Sequence, residues 1–245
     1  MALTPPHQQA FGGGDQKPVF LLKSGDFSVP VLFCNDDYLI VAKPAGLVVY
    51  NPAGSDGPSL GEAILDYVKQ DTSDRAGIVH RLDKDTSGVM VIARTAAAHD
   101  YFESIFAKRQ VGKEYIALVH GHLKQPRARL ELPIKRSLKY PTQMAIHPAG
   151  RPATTEYEVV KELESYSLVD VRIMTGRTHQ IRVQFAHLGH PVVGDIVYGG
   201  RGRPAGLSRQ FLHAHKLGFV SPSSERVHYE AALPAELSTF LEGLA

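Results

Sequence analysis

The sequence holds one cysteine, Cys34, in 245 residues. One thiol excludes a disulfide framework and any multi-cysteine zinc or iron–sulfur site. Cys34 follows an apolar stretch with no basic residue beside it in the chain, so it reads as a packing residue rather than a nucleophile. Long apolar runs are missing as well. Stretches such as Leu39–Ala42 and Val89–Ala93 fall far short of the roughly 20 residues that span a bilayer. Residues 1–17 lack the basic-then-apolar order of a secretory signal. Gly (22) and Pro (16) are too few for a collagen-like or low-complexity chain. No Gly-x-Ser-x-Gly elbow, phosphate-cradling Gly-x-x-x-x-Gly-Lys loop or dinucleotide fingerprint occurs, which removes support for serine-hydrolase, ATP and NAD chemistry. There are 12 histidines but no His-Glu-x-x-His; His213-Ala-His215 and His187-x-x-His190 are the nearest metal-like spacings. A reducing cytoplasm and no membrane partner fit these absences.

Excess charge is absent too, since 27 Lys and Arg face 25 Asp and Glu, for a net +2. The distribution says more than the sum. Between Lys124 and Lys139, six cations (Lys124, Arg127, Arg129, Lys135, Arg136, Lys139) meet one acid, Glu131, for a local +5. Arg201, Arg203 and Arg209 form a second run in a Gly/Pro-rich loop. The offsetting acids lie elsewhere in the chain, as in 156–164 and 225–242, and are expected away from the basic face. Charge segregated in this way suits a phosphate-backbone binder, because each neutralised phosphate releases counterions. A solvated loop with a biased composition is the alternative.

Hydrophobic patterning predicts strands at Tyr38–Lys43, Val89–Arg94, Tyr115–Val119 and Ser167–Met174. A capping box, Ser59-Leu-Gly-Glu62, predicts a helix over 60–70. Thr95 is placed to cap a helix that turns Phe102, Ile105 and Phe106 inward. Residues 141–160 read as a hairpin with Pro148–Pro152 as its loop, 178–188 as a helix, and 234–244 as a terminal helix. The pattern is α+β, with a flexible segment at 1–27 and one domain over 28–245. Two polar segments stand out. Val79-His-Arg-Leu-Asp-Lys-Asp-Thr-Ser-Gly88 precedes a buried strand, and could cap a turn or carry a carboxylate flanked by His80 and Arg81. Thr175-Gly-Arg-Thr-His-Gln-Ile-Arg-Val183 opens a helix, where free N–H groups favour anions and Arg182 could pair with a buried carboxylate.

Together these segments resemble the RluA-type RNA pseudouridine synthases. His80-Arg-Leu-Asp-Lys-Asp-Thr-Ser-Gly88 is similar to that family's catalytic motif. Lys113-Glu-Tyr115 resembles its second motif. Gly176-Arg-Thr-His-Gln-Ile-Arg182, with Gly189–Asp195 and Tyr198-Gly199, resembles its third. Lys43-Pro-Ala-Gly-Leu47 and Leu212-His-Ala214 match as well, all in the family's order. Arg75-Ala-Gly-Ile-Val, Pro133-Ile and Met144-Ala-Ile-His-Pro are closest to the branch that modifies large-subunit ribosomal RNA. Many members carry a small basic RNA-binding domain before this region, and the segment before Ser28 is too short for one.

The resemblance implies the pseudouridine synthase fold: a central mixed, mainly antiparallel sheet with flanking helices and an RNA-binding cleft. It also implies isomerisation of uridine within RNA, in 23S rRNA or alternatively tRNA, without cofactor or metal; the protein is expected to be a monomer. Carried over by position, Asp83, Tyr115 and Arg182 would be catalytic. Lys43, His80, Arg81, Arg177, His179 and Leu212 would bind RNA or the base. The chemistry suits these residue types. A carboxylate can attack the sugar C1′ or remove the C2′ proton, and an arginine keeps it ionised. Tyr115 and Leu212 can hold the freed uracil, and Arg81 can fill the space of a flipped base. A non-catalytic RNA-binding protein of this fold and a metal-dependent hydrolase are the competing readings.

Overall fold

The computed structural model describes residues 18–51, 56–68, 77–200 and 202–244. In chain order the elements are β1 (Phe20–Ser24), β2 (Phe27–Cys34), β3 (Tyr38–Lys43), α1 (Leu60–Ala63), a 3-10 turn (Leu65–Tyr67), β4 (Ser87–Ala93) and α2 (Ala96–Ala107). They continue with β5 (Gly112–His120), β6 (Arg127–Glu131), β7 (Ile134–Arg136), β8 (Met144–Ile146), β9 (Thr154–Leu163) and β10 (Tyr166–Ile173). The last are α3 (Gln180–His187), β11 (Leu212–Val220), β12 (Arg226–Glu230) and α4 (Ala235–Glu242). The architecture is mixed α+β with antiparallel strand pairing. The chain forms two compact units, one of residues up to Val111 with His215–Ala232, the other of Gly112–Ala214 with Leu233–Ala245.

In the first unit β1, β2, β3 and β4 pair antiparallel in that order, and β11 pairs with β12. β4 is buried along its whole length and β3 nearly so, which is why both read as continuous apolar runs. Thr95 Oγ1 accepts the Ala98 N–H (3.2 Å), starting α2 where the sequence places it. Phe102 from α2 then packs with Tyr38, Phe219 and Tyr229. Within the segment expected to be flexible over 1–27, Phe20–Ser24 is strand β1, paired with Phe27–Val31; residues 1–17 lie outside the described residues.

The helix expected over 60–70 is also shorter. It stops at Ala63, and a 3-10 turn follows, because Leu65 is 61% exposed and the apolar face does not continue. Its capping box is modified. Ser59 Oγ accepts the Glu62 N–H, but the Glu62 carboxylate takes the Ser24 hydroxyl, and that hydroxyl accepts the Ser59 N–H (2.9 Å). Cys34 has a basic neighbour in space, Arg94, whose Nη1 lies 3.7 Å from Sγ. Burial outweighs that cation and pushes the thiol up, so packing remains its role.

In the second unit β5, β10, β9 and β6 pair antiparallel in that order. The hairpin expected over 141–160 is replaced by another pairing. β8 turns back on β7, while β9 joins β10 and β6 because its Thr155 and Tyr157 alternate inward with Glu156 and Glu158 outward. α3 starts at Gln180, two residues later than predicted, because His179 adopts the left-handed conformation (φ 55°).

The β6–β9 register overturns the expected separation of acids from the basic stretch. Arg127 faces Glu158 and Arg129 faces Glu156, both in salt bridges, and Arg129 also bonds Glu131 (2.9 Å). Such exposed pairs add little stability but cancel local charge. Arg209 is also paired but, unlike these, is buried, with its Nε 3.1 Å from Glu236 on α4. Burial alone would push the Glu236 carboxyl up. Bonds from the Ser208 hydroxyl and amide and from Arg209 more than offset this and hold it below its ordinary range. A carboxyl lowered by folding stabilises the native state above its unfolded pKa, and that contribution disappears as pH falls through the folded value. Urea titrations between pH 7 and pH 3 are therefore expected to show a shallower acid-side loss of stability for Glu236→Gln than for the parent, and parallel curves would contradict the assignment.

Candidate functional site

Unit 1 places Lys43, His80, Arg81 and Asp83 around one loop, residues 79–86, which leads into β4. Lys43 is 1% exposed, and its ammonium donates to the carbonyls of Pro44 (2.8 Å), Leu47 (2.8 Å) and Lys84 (3.0 Å). The Lys84 carbonyl also accepts the Gly46 N–H (2.9 Å). A buried cation surrounded by carbonyls is a strut, so Lys43 holds the loop from below. Gly46 can serve this tight turn because its φ is +84°. His80 Nε2 accepts the Val91 N–H of β4 (3.0 Å), and its ring stacks on Phe106 at 4.7 Å. Leu82 is buried, while Arg81 is exposed and Asp83 half-buried. A turn closed by Thr86 N–H to Asp83 O (3.1 Å) completes the loop. The carboxylate thus sits on a backbone tied down on both sides, with an exposed cation, Arg81, two residues before it.

Unit 2 places Arg177, His179 and Arg182 at the start of α3, Tyr115 on β5 opposite Val171, and Leu212 at the start of β11. Tyr115 and Leu212 are 8% and 3% exposed. All six residues Gln180–Phe185 are buried, polar ones included. Gln180 Oε1 accepts the Thr175 hydroxyl (2.7 Å) and the Arg177 N–H (3.0 Å), and its amide donates to Thr154 O and Thr155 Oγ1. The Thr155 hydroxyl passes on to Gln184 Oε1 (2.6 Å), and Gln184 donates to Ala153 O (3.2 Å). These bonds satisfy the buried polar groups and fix α3 against β9. Arg177 Nε also donates to Pro152 O (3.1 Å).

Arg182 is bound in a bidentate pair with Asp195: Nε to Oδ2 at 2.7 Å and Nη2 to Oδ1 at 3.0 Å. Both side chains are buried, at 6% and 0% exposure. Asp195 Oδ1 also accepts the N–H groups of Val197 (2.9 Å) and Tyr198 (3.2 Å). Asp195 and Tyr198 occur in the motif quoted above, but the sequence assigns them no task. Their Asp-x-x-Tyr spacing is the signal, since it is that of a side-chain-capped turn.

Among the described residues no group of three or more His, Cys, Asp or Glu is placed to hold a metal. His190 Nδ1 lies 2.8 Å from His120 O, and His215 Nδ1 3.1 Å from Ala231 O. No described helix is long and apolar enough to cross a membrane.

The RNA pseudouridylate synthase family profile matches residues 37–187. Ribosomal large subunit pseudouridine synthase D of Yersinia pestis is 37% identical over 233 residues, 89% of this chain and 71% of that protein. The protein of that name from Escherichia coli K12 is 38% identical over 231 residues, with the same coverage. Among solved structures, human RNA pseudouridylate synthase domain containing 1 is similar at a TM-score of 0.69 and 25% identity, covering 96% of this chain and 97% of that one. Human RNA pseudouridylate synthase domain containing 4 shares the fold, with a TM-score of 0.70 and 24% identity over 87% of this chain and 92% of that one.

Removing one partner of a buried ion pair leaves the other charged and uncompensated, which costs about 3–5 kcal/mol. Asp195→Ala is expected to lose stability in that range by chemical denaturation. The double variant Arg182→Met/Asp195→Leu should lose less, and an equal or larger loss would show that the pair is not the source of the penalty.

Proposed function

Since the chain belongs to the RNA pseudouridylate synthase family, we propose that it isomerises uridine to pseudouridine in large-subunit ribosomal RNA with Asp83 as the reacting carboxylate. The observation that carries this is the family match over 37–187, a span that contains Asp83, Tyr115 and Arg182. The relatives named for the ribosomal large subunit support the choice of RNA. Such a target places the enzyme in the cytoplasm. Each chain carries the whole set of candidate residues, so a monomer suffices.

The reaction breaks the N1–C1′ bond, turns the uracil, forms C5–C1′ and releases the proton from C5. Asp83 either attacks C1′ or removes the C2′ proton, and both roles need an ionised carboxylate on a rigid support. Lys43 and His80 supply the support through the bonds described above. Arg81, exposed beside Asp83, occupies the space left by the extruded nucleotide and contacts phosphate. Tyr115 and Leu212 retain the detached uracil, and the Tyr115 hydroxyl receives or relays the C5 proton. Arg182 keeps the carboxylate ionised, and Arg177 and His179 contact RNA.

RNA labelled with tritium at uridine C5 tests this directly. The parent protein is expected to release tritium from large-subunit ribosomal RNA without added metal. Asp83→Asn should fall to about a thousandth of that rate or lower. Comparable release by the variant would remove Asp83 from the mechanism, and binding without release by the parent would favour an RNA-binding protein.

A further inference from the structure

Tyr198 is fixed to Arg182 from two directions. Its ring centroid lies 5.2 Å from the guanidinium carbon, within cation–π range. Its backbone N–H is bound by Asp195 Oδ1, the oxygen that also accepts Arg182 Nη2. The other end of the side chain serves different elements. The hydroxyl accepts the Met144 N–H of β8 (2.8 Å) and stands 2.8 Å from His179 Nδ1. His179 holds a left-handed backbone that a non-glycine residue keeps only when its surroundings over-determine it. A second bond joins the same turn to the hairpin: Gln143 Nε2 donates to Val197 O (3.1 Å). Apolar packing of Tyr198 with Met144 and Ile146 against Ile134, Ala153 and Val183 closes the connection.

The β7–β8 hairpin is the outward arm of this assembly. Its tip exposes Arg136, Lys139, Leu138 (89%) and Tyr140 (49%). Cations interleaved with an aromatic ring suit phosphate contact and base stacking. A load on this tip reaches Met144 and Gln143, and from them the Asp195–Tyr198 turn, which holds the arginine.

We propose that Tyr198 is a positioning residue for Arg182, and that RNA bound by the 134–146 hairpin orders the Arg182 guanidinium through the Tyr198 hydroxyl. This rests on the synthase reading for its effect on rate, but the ordering of Arg182 can be observed without catalysis. Tyr198→Phe keeps the ring and its packing and removes the hydroxyl bonds to Met144 and His179.

The test combines two readouts on the full chain. In ¹⁵N-labelled protein, hydrogen exchange of the Arg182 Nε–H is expected to slow when a ribosomal RNA fragment binds the parent, and to be unchanged by RNA in Tyr198→Phe. In single-turnover tritium release, Tyr198→Phe is expected to be slower by about tenfold, with RNA Kd unchanged. Arg136→Gln/Lys139→Gln, altered only at exposed positions, gives an independent variant. It should also lose the RNA-dependent slowing, and its rate defect should not add to that of Tyr198→Phe. Equal RNA-dependent slowing in the parent and Tyr198→Phe, additive rate defects, or a Tyr198→Phe defect wholly in Kd would overturn the proposal. Absence of tritium release from the parent would instead overturn the synthase reading, leaving the exchange measurement to decide the role of Tyr198.

Discussion

A guanidinium with its side chain 6% exposed has to be matched by an equally buried anion, and the second unit is organised around that requirement. Asp195 meets it with two bonds to Arg182, and its remaining capacity caps the turn to Tyr198. The capped turn places the Tyr198 ring against the same cation and its hydroxyl against the hairpin and His179. On the other side of α3, Gln180 and Gln184 are turned into a chain of side-chain bonds with Thr155 and Thr175. A helix that would ordinarily show one polar face to water is thereby buried with its polar groups satisfied. Buried polar groups so connected resist displacement, and they hold Arg182 in place beside Asp195.

The first unit meets a related requirement in another way. The Asp83 loop has no regular structure of its own, yet its backbone is tied down. Lys43 supplies the rigidity from beneath with three carbonyl bonds, and His80 ties the loop to β4. Two residues that the family resemblance assigns to RNA or base binding therefore also have a defined mechanical task. Arg81, between them and Asp83 in the chain, remains exposed, as a residue that enters a nucleic-acid stack would need to be.

Much of this was legible from the residues. β3 and β4 are apolar almost throughout because they are buried on both faces, and Thr95 marks a helix start by its side-chain bond. The motif segments around Asp83 and Arg182 stood out because polar residues are crowded there against apolar strands. What could not be read depends on pairing between distant residues. Glu156 and Glu158 lie 27 and 31 positions from the arginines they neutralise, and only the β6–β9 register brings them together. Arg209 reads as a loop cation until α4 brings Glu236 to it. The 141–160 hairpin failed for the same reason, since local turn signals do not say that β8 pairs back to β7. Of the cations singled out in the sequence, Lys124, Arg136, Lys139, Arg203 and Arg81 are exposed, whereas Arg127 and Arg129 are paired with acids and Arg209 is buried.

The central claim is that a carboxylate at position 83 converts uridine in large-subunit ribosomal RNA. Its most direct test maps pseudouridine at nucleotide resolution in total RNA from cells lacking the endogenous gene, complemented with the parent or with Asp83→Asn. The account predicts at least one pseudouridine in the large-subunit RNA that returns with the parent and not with the variant. Return of the modification with Asp83→Asn, or its restriction to tRNA, would contradict it.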